Sequence, residues 1–195
     1  MEETAARIVP NILSLAGVDP SGGAGLLADI KTISALGGYA CGAVTALTVQ
    51  NTRGVSGVRI MSGDFVSAQM ESVLSDIRID AVKIGMLGNC EVIEAAAGIL
   101  RDHPVKHVVL DTILASTSGT PLLEPEAVGV LIRKLLPLCT VFTPNLPEAA
   151  ILLGDETPAD EGGMENTARR LWNLAGCGPS EGRSSLGRPY GGSRL

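Results

Sequence analysis

Aromatic residues are scarce in this 195-residue chain: Trp172, Tyr39, Tyr190, Phe65 and Phe142 are all of them. Five rings are too few for a base-stacking platform. Positive charge is also short, with 15 Lys and Arg against 21 Asp and Glu and a formal net charge of −6. That balance argues against a phosphate-backbone partner, so no nucleic acid is expected. Only His103 and His107 supply imidazole, and the four cysteines (Cys41, Cys90, Cys139, Cys177) form no C-x-x-C pair. A zinc site is therefore not expected, and the cysteines read as reduced thiols of a cytoplasmic protein. No uninterrupted apolar run approaches the roughly 18 residues of a membrane helix, and Met1-Glu2-Glu3-Thr4 lacks the basic start of a secretory leader.

The chain does have a full hydrophobic complement, 45% of residues, enough for one domain with a sizeable core. Short apolar runs at residues 11–17, 44–49, 81–86, 106–111 and 140–143 read as strands buried on both faces. Helical patterns lie between them at 24–36, 64–77, 90–101 and 124–136. In the second of these, Val66, Met70, Val73, Leu74 and Ile77 form one stripe. Strand starts recur every 25 to 37 residues, which predicts an α/β fold with a mostly parallel sheet flanked by helices.

Polar and glycine-rich segments follow most of the strands. The first, Gly17-Val18-Asp19-Pro20-Ser21-Gly22-Gly23-Ala24-Gly25, opens a helix, so its backbone N–H groups could face an anion. It is not a Walker loop, because no Gly-Lys-Ser/Thr follows. Gly23-x-Gly25-x-x-Ala28 has Rossmann spacing, but no Asp or Glu occurs between Ile30 and Gly63 to hold a ribose, which disfavours a dinucleotide. The alternative for these glycines is a tight strand-to-helix turn. Asp29 follows inside an apolar stretch of the helix, as either a solvated acid or a ligand contact.

Gln50 ends the second predicted strand, where its amide could donate to and accept from a heterocycle such as an aminopyrimidine, or simply terminate a strand. Met86 offers an adaptable apolar wall beside the third. Asp111 closes the fourth. Asn145 and Glu148 open the segment after the fifth, either as a pair converging on Mg²⁺ and phosphate or as the first turn of a helix.

In this order and spacing, GVDPSGGAGLLADIKT, TALTVQNTRGV, VKIGML, VVLDT and TPNLPEA resemble the bacterial hydroxymethylpyrimidine/phosphomethylpyrimidine kinases. These belong to the ribokinase-like superfamily and to thiamine diphosphate biosynthesis. The resemblance runs from about residue 12 to residue 174. It implies a cytoplasmic phosphotransferase that phosphorylates 4-amino-5-hydroxymethyl-2-methylpyrimidine and then its monophosphate, with Mg²⁺ and ATP.

By the same resemblance Gln50 bonds the pyrimidine; Gly17, Asp29, Met86 and Ile113 complete its pocket; Asp111 lies near the phosphates; and Asn145 with Glu148 organises Mg²⁺. A homodimer is a further implication, and pyridoxal kinase of the same superfamily is the neighbouring alternative. The family's later Lys-Gly-Gly-His segment and Gly-Thr-Gly-Cys anion hole have no counterpart here, so no catalytic residue of that turn is assigned. The C-terminal strands and helices of the fold are likewise expected to be missing.

Residues 176–195, with six Gly and four Ser, carry no apolar periodicity. A partial kinase domain over 1–174, a disordered non-family tail over 175–195 and a frameshift or truncation near Ala175 are the expectations. Little kinase activity follows for the chain alone, and a non-catalytic pyrimidine-binding fragment is the remaining alternative.

Overall fold

A computed structural model describes residues 9–115, 121–158 and 160–175. The expected tail therefore lies outside the described residues from 176 onward. Six strands form one sheet: β1 (Asn11–Val18), β2 (Tyr39–Asn51), β3 (Gly54–Ile60), β4 (Ala81–Ile84), β5 (His107–Leu110) and β6 (Val141–Phe142). Their spatial order is β3-β2-β1-β4-β5-β6. All neighbours run parallel except β2 and β3. The expected mostly parallel sheet flanked by helices is the observed architecture.

β3 is the strand that the apolar-run reading passes over. Its sequence GVSGVRI holds two glycines and no continuous hydrophobic run, as an edge strand allows. It returns antiparallel through Thr52-Arg53, with Asn51 opposite Gly54 and the Arg53 N–H donating to Asn51 Oδ1 at 2.9 Å. What reads in the sequence as a polar strand end is thus a tight hairpin.

Alternation along the strands divides the core. Leu13, Leu15, Val82, Ile84, Val108 and Leu110 point to one face and are essentially inaccessible. α2 (Gly63–Leu74) and α3 (Cys90–Asp102) cover them. α2 contributes Val66 and Met70. α3 contributes Val92, Ile93, Ala96, Ala97 and Leu100, whose helical spacing makes one apolar stripe. Both helices are capped by the side chain just before them, Ser62 to the Phe65 N–H and Asn89 to the Val92 N–H.

The predicted helix 124–136 is compound. α4 (Pro125–Val130) passes into a π-turn over Leu131–Leu135 and a 3₁₀ turn over Leu136–Leu138, where Pro137 removes a backbone donor. α5 (Leu146–Leu153) and α6 (Glu161–Leu174) pack on each other, and Ala149, Leu152 and Leu171 join the same core.

The opposite face of the sheet carries α1 (Gly25–Ala35), which lies over β1 and β2. Its Leu26 packs onto Gly42, where a Cβ would come within 3.0 Å of Leu26 Cδ1. Farther along this face, beside β5, Val141 of β6 is 47% exposed.

Candidate active site

The carboxyl ends of β1, β2, β4 and β5 gather the residues that the sequence singles out. At the end of β1 the chain enters the glycine turn. Asp19, 4% exposed, reaches back through that turn. Its carboxylate accepts from the Ser21 N–H (2.8 Å), the Ser21 hydroxyl (2.8 Å), the Gly23 N–H (3.1 Å) and the Ala24 N–H (3.0 Å). The Gly22 N–H goes to the Asp19 carbonyl at 2.9 Å. The turn's donors from Ser21 to Ala24 are therefore satisfied from within and do not face an anion. Burial works to raise the Asp19 pKa, but the Ser21 hydroxyl and the N–H groups of Ser21, Ala24 and Gly23 outweigh it, so the carboxyl titrates below its ordinary range.

α1 has no side-chain cap from its N-cap residue, Ala24; Asp19, five residues upstream, takes the N–H of Ala24 itself. Gly22 and Gly25 adopt positive φ, +72° and +58°, which the turn requires.

Gly17, ahead of the turn in the β1 ladder, lies against Met86. A Cβ there would stand 3.1 Å from Met86 Sδ, so the absent side chain is what admits the thioether. Met86 is 6% exposed, and its carbonyl accepts from the buried Thr45 hydroxyl. Gln50 is half-buried past the β2 register shift. Thr48 Oγ1 stands 2.9 Å from the Val18 carbonyl and 3.1 Å from Gln50 Oε1. The amide NH₂ of Gln50 has no partner among the described residues. Beside Met86 opens a cleft of about 240 Å³ lined by Val58, Ile60, Gly88, Leu122, Leu123 and Pro125. It is apolar and smaller than a drug-sized site (about 300–1,000 Å³), which suits a small ring.

On the face of the sheet that bears α1, Asp29 Oδ2 accepts from the Ser14 hydroxyl at 2.6 Å and from Lys83 Nζ at 3.0 Å. Lys83 Nζ also stands 3.8 Å from Asp111 Oδ2. The sequence reading missed Lys83 and Ser14. The available signal was period-two alternation: in AVKI a lone lysine falls opposite the buried Val82 and Ile84. Gly85 is closely packed: a Cβ there would meet Lys83 Nζ at 3.1 Å, Ala16 Cβ at 3.2 Å and Ile113 Cδ1 at 3.7 Å, so the absent side chain is what lets the ammonium lie across this strand end. Ile113 thus stands over the same strand end as Asp111.

Asn145 and Glu148 form a capping box at the start of α5. Asn145 Oδ1 accepts from the Glu148 N–H, and Glu148 Oε2 accepts from the Asn145 N–H, both at 2.9 Å. Glu148, 9% exposed, also receives the Thr112 hydroxyl at 3.3 Å and the Leu114 N–H at 3.4 Å. Residues 111–114 therefore connect the Asp29–Lys83–Asp111 row to the Asn145–Glu148 turn. The structure brings Gly17 to Met86, Asp29 to Asp111 through Lys83, and Asn145 to Glu148.

Residues 19–178 match the family model described as phosphomethylpyrimidine kinase. The chain is 51% identical over 168 residues to the hydroxymethylpyrimidine/phosphomethylpyrimidine kinase of Escherichia coli, covering 86% of this chain and 63% of that protein. The chain thus spans less than two thirds of that relative. Its fold is similar to a crystal structure of phosphomethylpyrimidine kinase from Clostridium difficile (TM-score 0.79, 39% identity, 85% of this chain and 71% of that one). It is also similar to the pyridoxal kinase of Staphylococcus aureus in complex with pyridoxal (TM-score 0.77, 32% identity, 86% of this chain and 62% of that one).

Proposed function

The chain belongs to the phosphomethylpyrimidine kinase family, and from that premise we propose that it carries the pyrimidine side of an ATP-dependent phosphotransferase. Its fold is the ribokinase-like one. The reaction is phosphorylation of 4-amino-5-hydroxymethyl-2-methylpyrimidine and of its monophosphate, within thiamine diphosphate biosynthesis. The observation that supports this reading is the contact of Gly17 with Met86, which also lines a small apolar cleft, with Gln50 near the end of β2, Ile113 past β5 and Asp29 held by Lys83 of β4. Gly17 and Met86 give the ring an apolar wall, Gln50 offers an unpartnered amide donor, and Asp29 offers an acceptor to the exocyclic amine.

Asp111, Asn145 and Glu148 form the phosphate side. Their donors are all oxygens, and the Glu148 carboxylate already holds three protein donors, so they fit a hydrated Mg²⁺ better than a dedicated cage. Mg²⁺ with ATP would neutralise charge developing on the transferred phosphoryl group. The chain's own part is to orient the hydroxymethyl group and hold the ring. Among the described residues no helix is long and apolar enough to cross a membrane. A cytoplasmic homodimer is part of the proposal.

Thermal melts with the pyrimidine and with pyridoxal test the reading. A midpoint that rises with hydroxymethylpyrimidine and less with pyridoxal is expected, since a ligand that binds only the folded state stabilises it. A midpoint unmoved by the pyrimidine, or moved more by pyridoxal, overturns it.

A further inference from the structure

We propose that Lys83 is a positioning residue for pyrimidine binding: it fixes the Asp29 carboxylate so that Asp29 Oδ1 is left for the exocyclic amine of the ring. The inference rests on the reading of Asp29 as a pyrimidine contact and goes beyond it in naming what orients that contact.

Three elements build the arrangement. Asp29 comes from α1, Lys83 from β4 and Asp111 from the position that follows β5. Both bonds to Asp29 fall on one oxygen, Oδ2, from Ser14 and from Lys83, while Oδ1 has no hydrogen-bond partner among the described residues. Two donors on the same oxygen hold the carboxylate plane against the sheet and leave the second oxygen's acceptor capacity to an incoming N–H.

The surroundings give Lys83 this task rather than a surface one. Its side chain is 24% exposed, Asp29 is 19% exposed, and the flanking Val82 and Ile84 are fully buried. A partly buried ion pair is screened less than a surface one, and removing its cation leaves a carboxylate short of a partner. Asp111 stands 3.8 Å from the same ammonium, so two carboxylates share one cation. Without Lys83 the two acids would face each other's charge with only the Ser14 hydroxyl on Asp29.

The test is a double-mutant cycle read by calorimetric titration with 4-amino-5-hydroxymethyl-2-methylpyrimidine, using the full chain and checking that each protein melts cooperatively. K83M and D29N are each expected to weaken binding roughly tenfold, and the double variant to bind within about threefold of D29N, because coupled residues lose one interaction once. K83R should restore affinity to within about threefold of wild type, which a mere loss of packing would not explain. K83M binding as tightly as wild type, or losses that multiply in the double variant, would overturn the proposal while leaving the pyrimidine reading intact. Wild type that does not bind the pyrimidine overturns both. If K83M does not melt cooperatively, K83Q takes its place in the cycle with the same expectations.

Discussion

Gly25 cannot carry a side chain. Its φ of +58° lies in the left-handed region, and a Cβ would run into the Gly17 carbonyl oxygen. Gly25→Ala is therefore expected to cost about 2 kcal/mol or more, read as a lower midpoint in urea unfolding. Asp19 answers to acid. Its folded pKa is depressed, so its contribution is present above the unfolded value and is lost as pH falls through the folded one. Asp19→Asn should lower the thermal midpoint at pH 7, and its gap from wild type should begin to narrow below about pH 4 and close as pH falls through the folded value. If the gap were unchanged by pH, the carboxylate would not be the group that holds the turn.

These two residues also show what was legible at this scale. Glycine in the turn could be read from the sequence, because a strand-to-helix turn needs it. That Asp19 would consume the turn's N–H groups could not, since an acid beside four donors looks the same in sequence whether it turns inward or outward. The pairing of Asp29 with Lys83, 54 residues away, depends on strand order, which the sequence does not state.

Among the elements, α5 has the clearest local logic. Asn145 and Glu148 close a capping box, Pro147 falls in the first turn, and Gly154 ends the helix at φ +68°. Asn145→Ala should cost about 1 kcal/mol in urea unfolding. Asn145→Asp, which keeps an acceptor, should retain most of it. An equal loss in both variants would point away from capping.

The buried parallel strands and long helices were legible because both have strong periodicity: β1, β4 and β5 as apolar runs, α2 and α3 as stripes. β3 was hidden because edge pairing needs no apolar run. α4 and the turns that follow it blurred into one helix because Leu131, Leu135 and Leu136 keep a helical spacing across the change in hydrogen-bond pattern.

Across the whole molecule the two faces of the sheet are unequal. Leu110, 1% exposed, points into the face covered by α2 and α3, whereas Val141 on the neighbouring edge strand is 47% exposed. Leu110→Ala should cost about 2–5 kcal/mol, and Val141→Thr no more than about 0.5 kcal/mol, in the same unfolding assay. Comparable losses would mean that the α1 face is as tightly packed as the other.

The strand order also has a consequence in time. β1, β2 and β3 are adjacent both in space and along the chain, so they can pair as soon as they leave the ribosome. β4 must then cross to the far side of β1, bringing Lys83 to an acid on a helix made some fifty codons earlier. During synthesis the Asp29 carboxylate waits for its cation, and the pair is completed only when that later strand docks.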